Sequence, residues 1–352
     1  MRAAVLQKPG GPLELEERPD PEPRGEEVLV RVLGAGLCRS DLHMVDGDVP
    51  DLTLPRVLGH EIAGEAAGIG PVLVYGGWGD RTCWYCRRGE EQLCPAVAEP
   101  GWARDGGFAE AVLVPSRRYL LPLGGIDPVR AAPLADAGVT AYRAVRRVSP
   151  WLREGGTAVV IGAGGLGQFA VQYLTTVRQA GRPWVAAGGW PADRPAQRPR
   201  PGGGLGALPP ASADVRVVAV DPDDAKRRRA RRLGAHQAAA PGDELPEAHA
   251  VLDFVGSDDT LALAARLVRR TGIVMLVGEA GGRLPFGFRA VPHEAHLTTT
   301  VWGSLGDLRE VLDLARRGEL DWQVEAMPLE RANQALDRLR RGEVAGRLVL
   351  VP

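Results

Sequence analysis

One stretch, Gly162-Ala163-Gly164-Gly165-Leu166-Gly167, constrains the fold of this chain more than any other. It follows Ala158-Val159-Val160-Ile161, an unbroken apolar run that is typical of a buried parallel strand. It precedes an apolar pattern of helical spacing that reaches Leu174. Glycines permit a tight turn and let a dinucleotide pyrophosphate approach the N-terminus of the next helix. Because strand, turn and helix come in this order, the sequence predicts a doubly wound parallel-sheet domain that binds a dinucleotide.

The second strand of this domain comes unusually late in the sequence. Val215 to Val220 is again apolar and ends at Asp221, an acid placed to accept hydrogen bonds from the cofactor ribose. Such an acid normally lies about 20 residues beyond the glycines. The additional residues between the glycines and Asp221 lie at 180–214, a segment rich in Pro, Gly and Arg. We interpret them as an inserted, disordered surface loop, with an interaction arm as the alternative.

Asp221 also bears on the choice of cofactor. A carboxylate at this position repels a 2′-phosphate, so the sequence favours NAD over NADP. Arg227 and Arg228 lie shortly after it and could compensate such a phosphate. A run of charges, however, is usually a solvated helix face.

Composition excludes several classes of function. The chain has 352 residues, of which 45% are hydrophobic and 25% charged, with a net charge of −1. It therefore has room for two domains and no basic field that would recruit nucleic acid or an anionic membrane. No apolar run approaches the roughly 20 residues that span a bilayer. The N-terminus also lacks the features of a signal peptide, so we expect a cytoplasmic protein.

Cys38 and His60 suggest a metal centre. A thiolate and an imidazole are both zinc ligands, but two ligands do not fill a tetrahedral shell. Three protein ligands would leave one position for water or substrate, which is the catalytic arrangement. Our candidate for the third ligand is Asp136, which could instead cap the helix that follows it. Cys38 could likewise be a small buried hydrophobic residue.

The run Cys38-Arg39-Ser40-Asp41-Leu42-His43, followed by Gly59-His60-Glu61, resembles the zinc-dependent medium-chain alcohol dehydrogenases. The resemblance covers nearly the whole chain and is strongest for a bacterial, NAD-dependent subgroup with an aspartate ligand. It implies an α/β protein that combines a β-rich GroES-like catalytic domain with a Rossmann domain. The implied boundaries are 1–138 for the catalytic domain, 139–303 for the NAD-binding domain and 304–352 for a return to the catalytic domain. Short strands at Arg2 to Leu6 and Glu27 to Leu33 fit this fold, and we expect Gly34 to Gly36 to end the second of them.

The resemblance also implies roles around the catalytic zinc. Ser40 and His43 correspond to a relay that carries the alcohol proton to solvent, although they could be a turn hydroxyl and an ordinary exposed histidine. Glu61 would either ligate the metal transiently or orient a ligand. Trp302 would line the substrate pocket or, alternatively, be an aromatic residue on an edge strand, which we expect to run from Leu297 to Trp302.

Further implied contacts concern the cofactor. Arg39 and Arg347 correspond to positions that contact the pyrophosphate, and each could instead be a solvated charge. Besides the glycine-rich turn and Asp221, the residues expected to contact the cofactor are Lys226 at the adenosine ribose and the strand ends Val255 and Val277.

A second metal site is implied by a cysteine cluster. Cys83, Cys86 and Cys94 correspond in order and spacing to three ligands of the family's structural zinc, and Asp80 occupies the position of the fourth. Three thiolates and one carboxylate can hold zinc. The alternatives are a loop that has lost its metal and a disulfide between Cys83 and Cys86.

We therefore expect an enzyme that oxidises an alcohol to an aldehyde or ketone, reversibly, with hydride transfer to NAD. The family resemblance further implies a homodimer or homotetramer formed through the edge of the Rossmann sheet. Two alternatives remain at this stage. One is a zinc-free quinone or enoyl reductase of the same superfamily. The other is a non-catalytic NAD-binding remnant. It is suggested by segments after Gly64 and between Gly234 and Val251 that are shorter than in the family, by the long insert and by Asp80.

Overall fold

The computed structural model describes residues 1–152, 156–177 and 215–352. The inserted loop expected at 180–214 lies outside these ranges. Within them the strands form three sheets of three, six and seven strands. No helix in the described ranges is both long enough and apolar enough to cross a membrane.

The N-terminal part is rich in short strands, as expected for the catalytic domain. Its strands are β1 (Arg2–Leu6), β2 (Leu13–Glu17), β3 (Val28–Gly36), β4 (Arg56–Val57), β5 (Glu61–Ala66), β6 (Gly70–Val74), β7 (Ala111–Val114) and β8 (Leu120–Pro122). Its helices are α1 (Arg39–Asp46), α2 (Trp84–Arg87), α3 (Pro128–Ala131) and α4 (Ala137–Val148). β3 lies at the centre, because β5 and β7 both pair with it and β5 continues the sheet to β6 and β8.

The expectation that Gly34 to Gly36 would end β3 was wrong. The strand continues to Gly36, with one irregularity in register between Val32 and Gly34. These glycines serve close packing instead of a turn. A Cβ on Gly36 would lie 2.0 Å from Glu61 Oε2, and one on Gly34 would lie 3.0 Å from Val129 Cα. β3 therefore continues without a turn to within two residues of Cys38.

The dinucleotide-binding part forms the six-stranded parallel sheet, in the order β11-β10-β9-β12-β13-β14. Its strands are β9 (Gly156–Ile161), β10 (Val215–Val220), β11 (Gln237–Ala239), β12 (Ala248–Asp253), β13 (Val268–Leu276) and β14 (His296–Thr299). Its helices are α5 (Gly167–Gln172), α6 (Asp224–Arg232) and α7 (Asp258–Leu267). The central strands are almost entirely buried, which explains their continuous apolar sequences.

The last sheet strand is shorter than expected from the sequence. β14 ends at Thr299, whereas we expected a strand that reaches Trp302. Trp302 has a φ of 48° and is only 6% exposed. Its indole Nε1 donates a hydrogen bond to the Ala135 carbonyl at 2.8 Å. The chain therefore leaves the sheet so that this side chain can pack in the interior, and the alternative of an edge-strand aromatic residue was wrong.

The C-terminal segment returns to the catalytic part. It consists of α8 (Leu305–Arg316), β15 (Val324–Pro328), α9 (Ala332–Arg340) and β16 (Arg347–Val351). β16 pairs antiparallel with the end of β3, through Val349 opposite Gly36. This pairing places Arg347, the first residue of β16, beside the segment that carries Cys38.

Candidate active site and metal centres

Three side chains from distant parts of the chain converge beside β3 and β5. Cys38 lies just before α1, His60 just before β5 and Asp136 just before α4. One ligand atom from each lies within 4.8 Å of the other two. Asp136 Oδ2 is 3.4 Å from the Cys38 sulfur and 3.6 Å from His60 Nε2. The three residues predicted to form the catalytic metal site are therefore brought together.

Asp136 occupies the capping position of α4 without capping it. Its side chain makes no hydrogen bond to the first backbone N–H groups of that helix. Instead, Oδ1 accepts a hydrogen bond from the Thr140 hydroxyl at 2.8 Å, while Oδ2 faces Cys38 and His60. The geometry therefore favours a metal-ligand role over the capping alternative.

The electrostatics of this cluster suit a cation. Burial alone would raise the pKa of Asp136, but His60 and Arg347 beside it hold that pKa well below its usual range. Burial alone would lower the pKa of His60, but Asp41, Asp136 and Cys38 raise it well above its usual value. Thiolate, imidazole and carboxylate form a donor set that suits zinc, and three of them leave a fourth position open. The residues present therefore fit a catalytic zinc ion.

Asp41 holds the two ligand-bearing segments in place. Its Oδ2 accepts a hydrogen bond from the Cys38 backbone N–H at 2.8 Å, and its Oδ1 accepts one from the Gly59 N–H at 3.3 Å. Oδ1 also lies 3.7 Å from His60 Nδ1. Sequence analysis assigned Asp41 no role, although its position three residues after Cys38 is that of a reciprocal helix cap.

Glu61 and Arg347 form a buried ion pair against the metal cluster. The guanidinium also lies 3.4 Å from Asp136 Oδ2 and 3.7 Å from the Cys38 sulfur. Burial raises the pKa of Glu61 to about 8, although Arg347 acts to lower it. A Cβ on Gly165 would lie 3.1 Å from Arg347 Nη1. Arg347 is therefore a buried residue between the metal cluster and the glycine-rich turn, not the exposed charge that was its alternative.

The two residues of the expected proton relay lie near the cluster on α1. Ser40 Oγ is 3.5 Å from the Cys38 sulfur. His43 Nδ1 is 3.1 Å from Asp48 Oδ2, and its ring is partly exposed to solvent. Both residues line the cavity described below, which places a hydroxyl near the metal cluster and an imidazole nearer the solvent.

The glycine-rich turn has the geometry that its sequence predicts. Gly162 has a φ of +86°, a conformation that favours glycine. A Cβ on Gly167 would lie 1.9 Å from the Gly162 carbonyl oxygen, so the helix can approach the strand only with glycine there. Asp221, at the end of β10, accepts hydrogen bonds at 2.9 Å from the backbone N–H groups of Ala163 and Asp223.

One cavity of about 450 Å³ joins the metal cluster to the glycine-rich turn. Trp302 forms one wall, with its ring edge-to-face against His60 at a centroid distance of 5.7 Å. Besides the metal ligands, Ser40 and His43, the other predicted site residues that line this cavity are Arg39, Gly162, Gly164, Gly165, Gly167, Asp221, Lys226, Val255, Val277 and Arg347. Sequence analysis missed further lining residues, among them Glu99, Trp102 and Glu279, because their position depends on the tertiary fold.

The four residues of the second predicted metal site also lie together. Asp80, Cys83, Cys86 and Cys94 each place a ligand atom within 4.8 Å of the others. All three sulfurs are free thiols, so the disulfide alternative was wrong. Asp80 Oδ1 accepts hydrogen bonds at 2.8 Å from the N–H groups of Thr82 and Cys83, which hold the pKa of Asp80 well below its usual range. The donor set fits a structural zinc ion.

Fold and site together define a dehydrogenase with a metal centre at the edge of a dinucleotide-binding crevice. Two family models match the chain: Alcohol dehydrogenase GroES-like domain over residues 24–124, and Zinc-binding dehydrogenase over residues 210–317. The chain belongs to the zinc-dependent, medium-chain alcohol dehydrogenase family.

Individual relatives agree with this assignment over 97% or more of their lengths. The chain is 34% identical to an NAD-dependent alcohol dehydrogenase of Sulfurisphaera tokodaii, over 100% of both sequences. It is 33% identical to D-arabinose 1-dehydrogenase (NADP(+)) of Saccharolobus solfataricus, over 100% of the chain and 97% of the relative. Among solved structures, the alcohol dehydrogenase of Aeropyrum pernix superposes with a TM-score of 0.83 at 31% identity, with both chains fully covered.

Proposed function

We propose that this protein oxidises an alcohol to an aldehyde or ketone, and catalyses the reverse reduction, with hydride transfer between the substrate and NAD. The observation that carries the proposal is the convergence of Cys38, His60 and Asp136 in the cavity that also contains the glycine-rich turn. The zinc-free reductase alternative lacks support, because that class does not have this cysteine and histidine pair.

The residues around the cluster have distinct tasks in this reaction. When bound, zinc acts as a Lewis acid that lowers the pKa of the alcohol, and NAD accepts the hydride. Cys38 and Asp136 supply two negative charges that balance the ion, and Asp41 orients the segments of Cys38 and His60. Ser40 accepts the alcohol proton and passes it towards His43, whose ring is held by Asp48 at 3.1 Å. Trp302 excludes water from one side of the site.

We also propose NAD rather than NADP as the preferred cofactor. Asp221 keeps a carboxylate where a 2′-phosphate would lie. The arginines that could compensate a phosphate are engaged locally. Arg227 donates hydrogen bonds to the carbonyls of Asp221 and Pro222, at 2.8 and 2.7 Å, and Arg228 pairs with Asp224. Because D-arabinose 1-dehydrogenase, one of the relatives, is named with NADP(+), the cofactor preference of this protein is tested directly below.

The remaining parts of the proposal concern organisation. We infer a catalytic domain at 1–138, an NAD-binding domain at 139–303 and a C-terminal return at 304–352, which is consistent with the pairing of β16 and β3. We infer a homodimer or homotetramer through β14, an edge strand whose Leu297 is 38% exposed. We expect the protein to act in the cytoplasm.

The function is tested with purified protein of known zinc content. Primary, secondary and benzylic alcohols are offered with NAD and with NADP, and NADH or NADPH formation is followed by absorbance. We expect turnover with at least one alcohol and a higher kcat/KM with NAD. Bound zinc without turnover of any alcohol would contradict the proposal. If no alcohol is turned over but NADH raises the melting temperature, the protein binds the cofactor without catalysis, as the non-catalytic alternative predicts.

A further inference from the structure

Two carboxylates that the proposed mechanism does not use line the catalytic cavity. Glu99 lies in the loop after the cysteine cluster and is half-buried, and Glu279 follows β13 and is more exposed. Neither carboxylate has a hydrogen-bond donor or a salt-bridge partner among the described residues. Both therefore face the cavity with their hydrogen-bonding capacity unused.

The backbone fixes both acids in position. The Glu99 carbonyl accepts hydrogen bonds from the N–H groups of Ala103 at 3.0 Å and Arg104 at 3.2 Å, which close a tight loop. Beyond Glu279, the N–H of Ala280 donates to the Val255 carbonyl at 3.1 Å. A Cβ on Gly278 would lie 2.3 Å from the Val255 carbonyl carbon, so this segment packs directly on its neighbour. The backbone positions of both acids on the wall are thus fixed before a substrate arrives.

Charges at the metal cluster act on both acids, and the charge of Glu279 acts on Glu99. Burial raises the pKa of Glu99 to about 6, with Glu279 acting in the same direction and His60 against it. Burial also raises the pKa of Glu279, and Asp136 adds to this effect. Both acids therefore belong to the electrostatic environment in which the substrate must bind.

These carboxylates are unfavourable neighbours for an apolar substrate. An alkyl chain in contact with them would displace water without replacing its hydrogen bonds. A hydroxyl group, in contrast, donates a charge-assisted hydrogen bond to a carboxylate. A cationic substrate is disfavoured because Arg39 and Lys226 line the same cavity and repel a further positive charge. Trp102 and Trp302 add flat apolar surface suited to the C–H face of a sugar.

On the basis of the function proposed above, we propose that Glu99 and Glu279 determine substrate specificity and select neutral alcohols that carry further hydroxyl groups, such as polyols or sugars. The hydroxyl that is oxidised lies at the metal cluster, and the additional hydroxyls donate to the two carboxylates.

The test compares butane-1,2,4-triol, butan-1-ol and 4-aminobutan-1-ol as substrates of zinc-loaded protein with saturating NAD. The variants are Glu99→Leu and Glu279→Leu, the conservative Glu99→Gln and Glu279→Gln, and Glu22→Leu as a matched control at an exposed glutamate outside the cavity. For each variant the ratio of kcat/KM for the triol to that for butan-1-ol is measured. Each leucine substitution should lower this ratio about tenfold or more, mainly through KM for the triol.

The glutamine variants should lose less, because an amide oxygen still accepts a hydrogen bond, and the control ratio should equal that of the wild type. Glutamine variants also keep the test valid if a leucine variant fails to fold. An unchanged ratio in all cavity variants, with butan-1-ol turned over, would overturn this inference and leave the proposed function intact. A preference for the amino alcohol that the leucine variants abolish would overturn the choice of neutral polyols. Absence of turnover with every alcohol in the wild type would instead count against the proposed function itself.

Discussion

The Asp136 carboxylate lies 3.4 Å from the Cys38 sulfur, although the two residues are 98 positions apart in the sequence. Two groups that can each carry negative charge come this close in a buried site only when one of them is protonated or positive charge compensates them. His60 and Arg347 contribute such charge on one side, and a zinc ion fits the open space between the three ligands. The predictions below follow from this arrangement and from the segments that hold it.

Asp41 is predicted to control metal affinity without touching the metal. Asp41→Asn keeps the shape of the side chain but removes the negative charge and one acceptor, so the Cys38 and Gly59 N–H groups are held less well. Loss of a residue that orients metal ligands typically costs about 10- to 100-fold in metal affinity. We expect that loss in competition titrations with a zinc chelator. Asp46→Asn, an exposed change on the same helix, should leave the affinity unaltered.

Asp80 is predicted to be a ligand of the structural zinc. Asp80→Ala should lower the zinc content from two ions per chain to one and lower the unfolding temperature by about 5 °C or more, because the loop loses its cross-link. Asp80→Cys, which supplies a fourth thiolate, should keep both ions and resist chelators longer than the wild type. Two ions per chain in Asp80→Ala would show that the site does not depend on this carboxylate.

Asp221 is predicted to set the preference for NAD. Asp221→Ala removes the acceptor for the ribose hydroxyls, so kcat/KM for NAD should fall about 10- to 100-fold while kcat/KM for NADP rises. The double change Asp221→Ala and Asp224→Ala should raise the NADP value further, since it also releases Arg228 from its ion pair. Steady-state kinetics with both cofactors at one alcohol concentration measure these values. A wild-type enzyme that already prefers NADP would contradict the interpretation of Asp221.

Glu99 is predicted to reduce the stability of the folded protein once the pH rises through about 6. Its pKa is about 6 in the folded protein and about 4.5 ordinarily, so it favours folding below pH 4.5, and this contribution is lost as the pH rises through 6. Glu99→Gln should therefore raise the free energy of unfolding at pH 8 by at most about 2 kcal/mol, with no gain at pH 4.5. Denaturant titrations of metal-depleted protein at both pH values measure the difference, because the charge of a nearby zinc ion would reduce it. An equal gain at both values would point to packing instead of ionisation.

Much of the fold could be predicted from local sequence. The glycine-rich turn needed no tertiary information, because glycine spacing and an apolar strand act within one short segment. The cysteine and histidine ligands were found because few other residue types bind zinc. Local sequence could not predict every feature of the fold and the site. The family resemblance supported Asp136 as the third ligand and predicted that the C-terminal strand returns to the catalytic domain.

The errors and omissions have a common physical cause. Gly34 and Gly36 were interpreted as a break because the sequence does not show that Val129 and Glu61 pack against them. Trp302 was assigned to a strand because its contact with Ala135 is made across 167 residues. Glu99 and Glu279 were overlooked because neither belongs to a local pattern. Each depends on contacts between segments that only the folded chain brings together.

The most direct test of the central claim is an anomalous difference map, collected at the zinc absorption edge from crystals of zinc-loaded protein. The claim predicts a peak about 2.0–2.3 Å from the Cys38 sulfur, from a ring nitrogen of His60 and from an Asp136 oxygen. A peak elsewhere, or an ion at this position that is bound without Asp136, would contradict it.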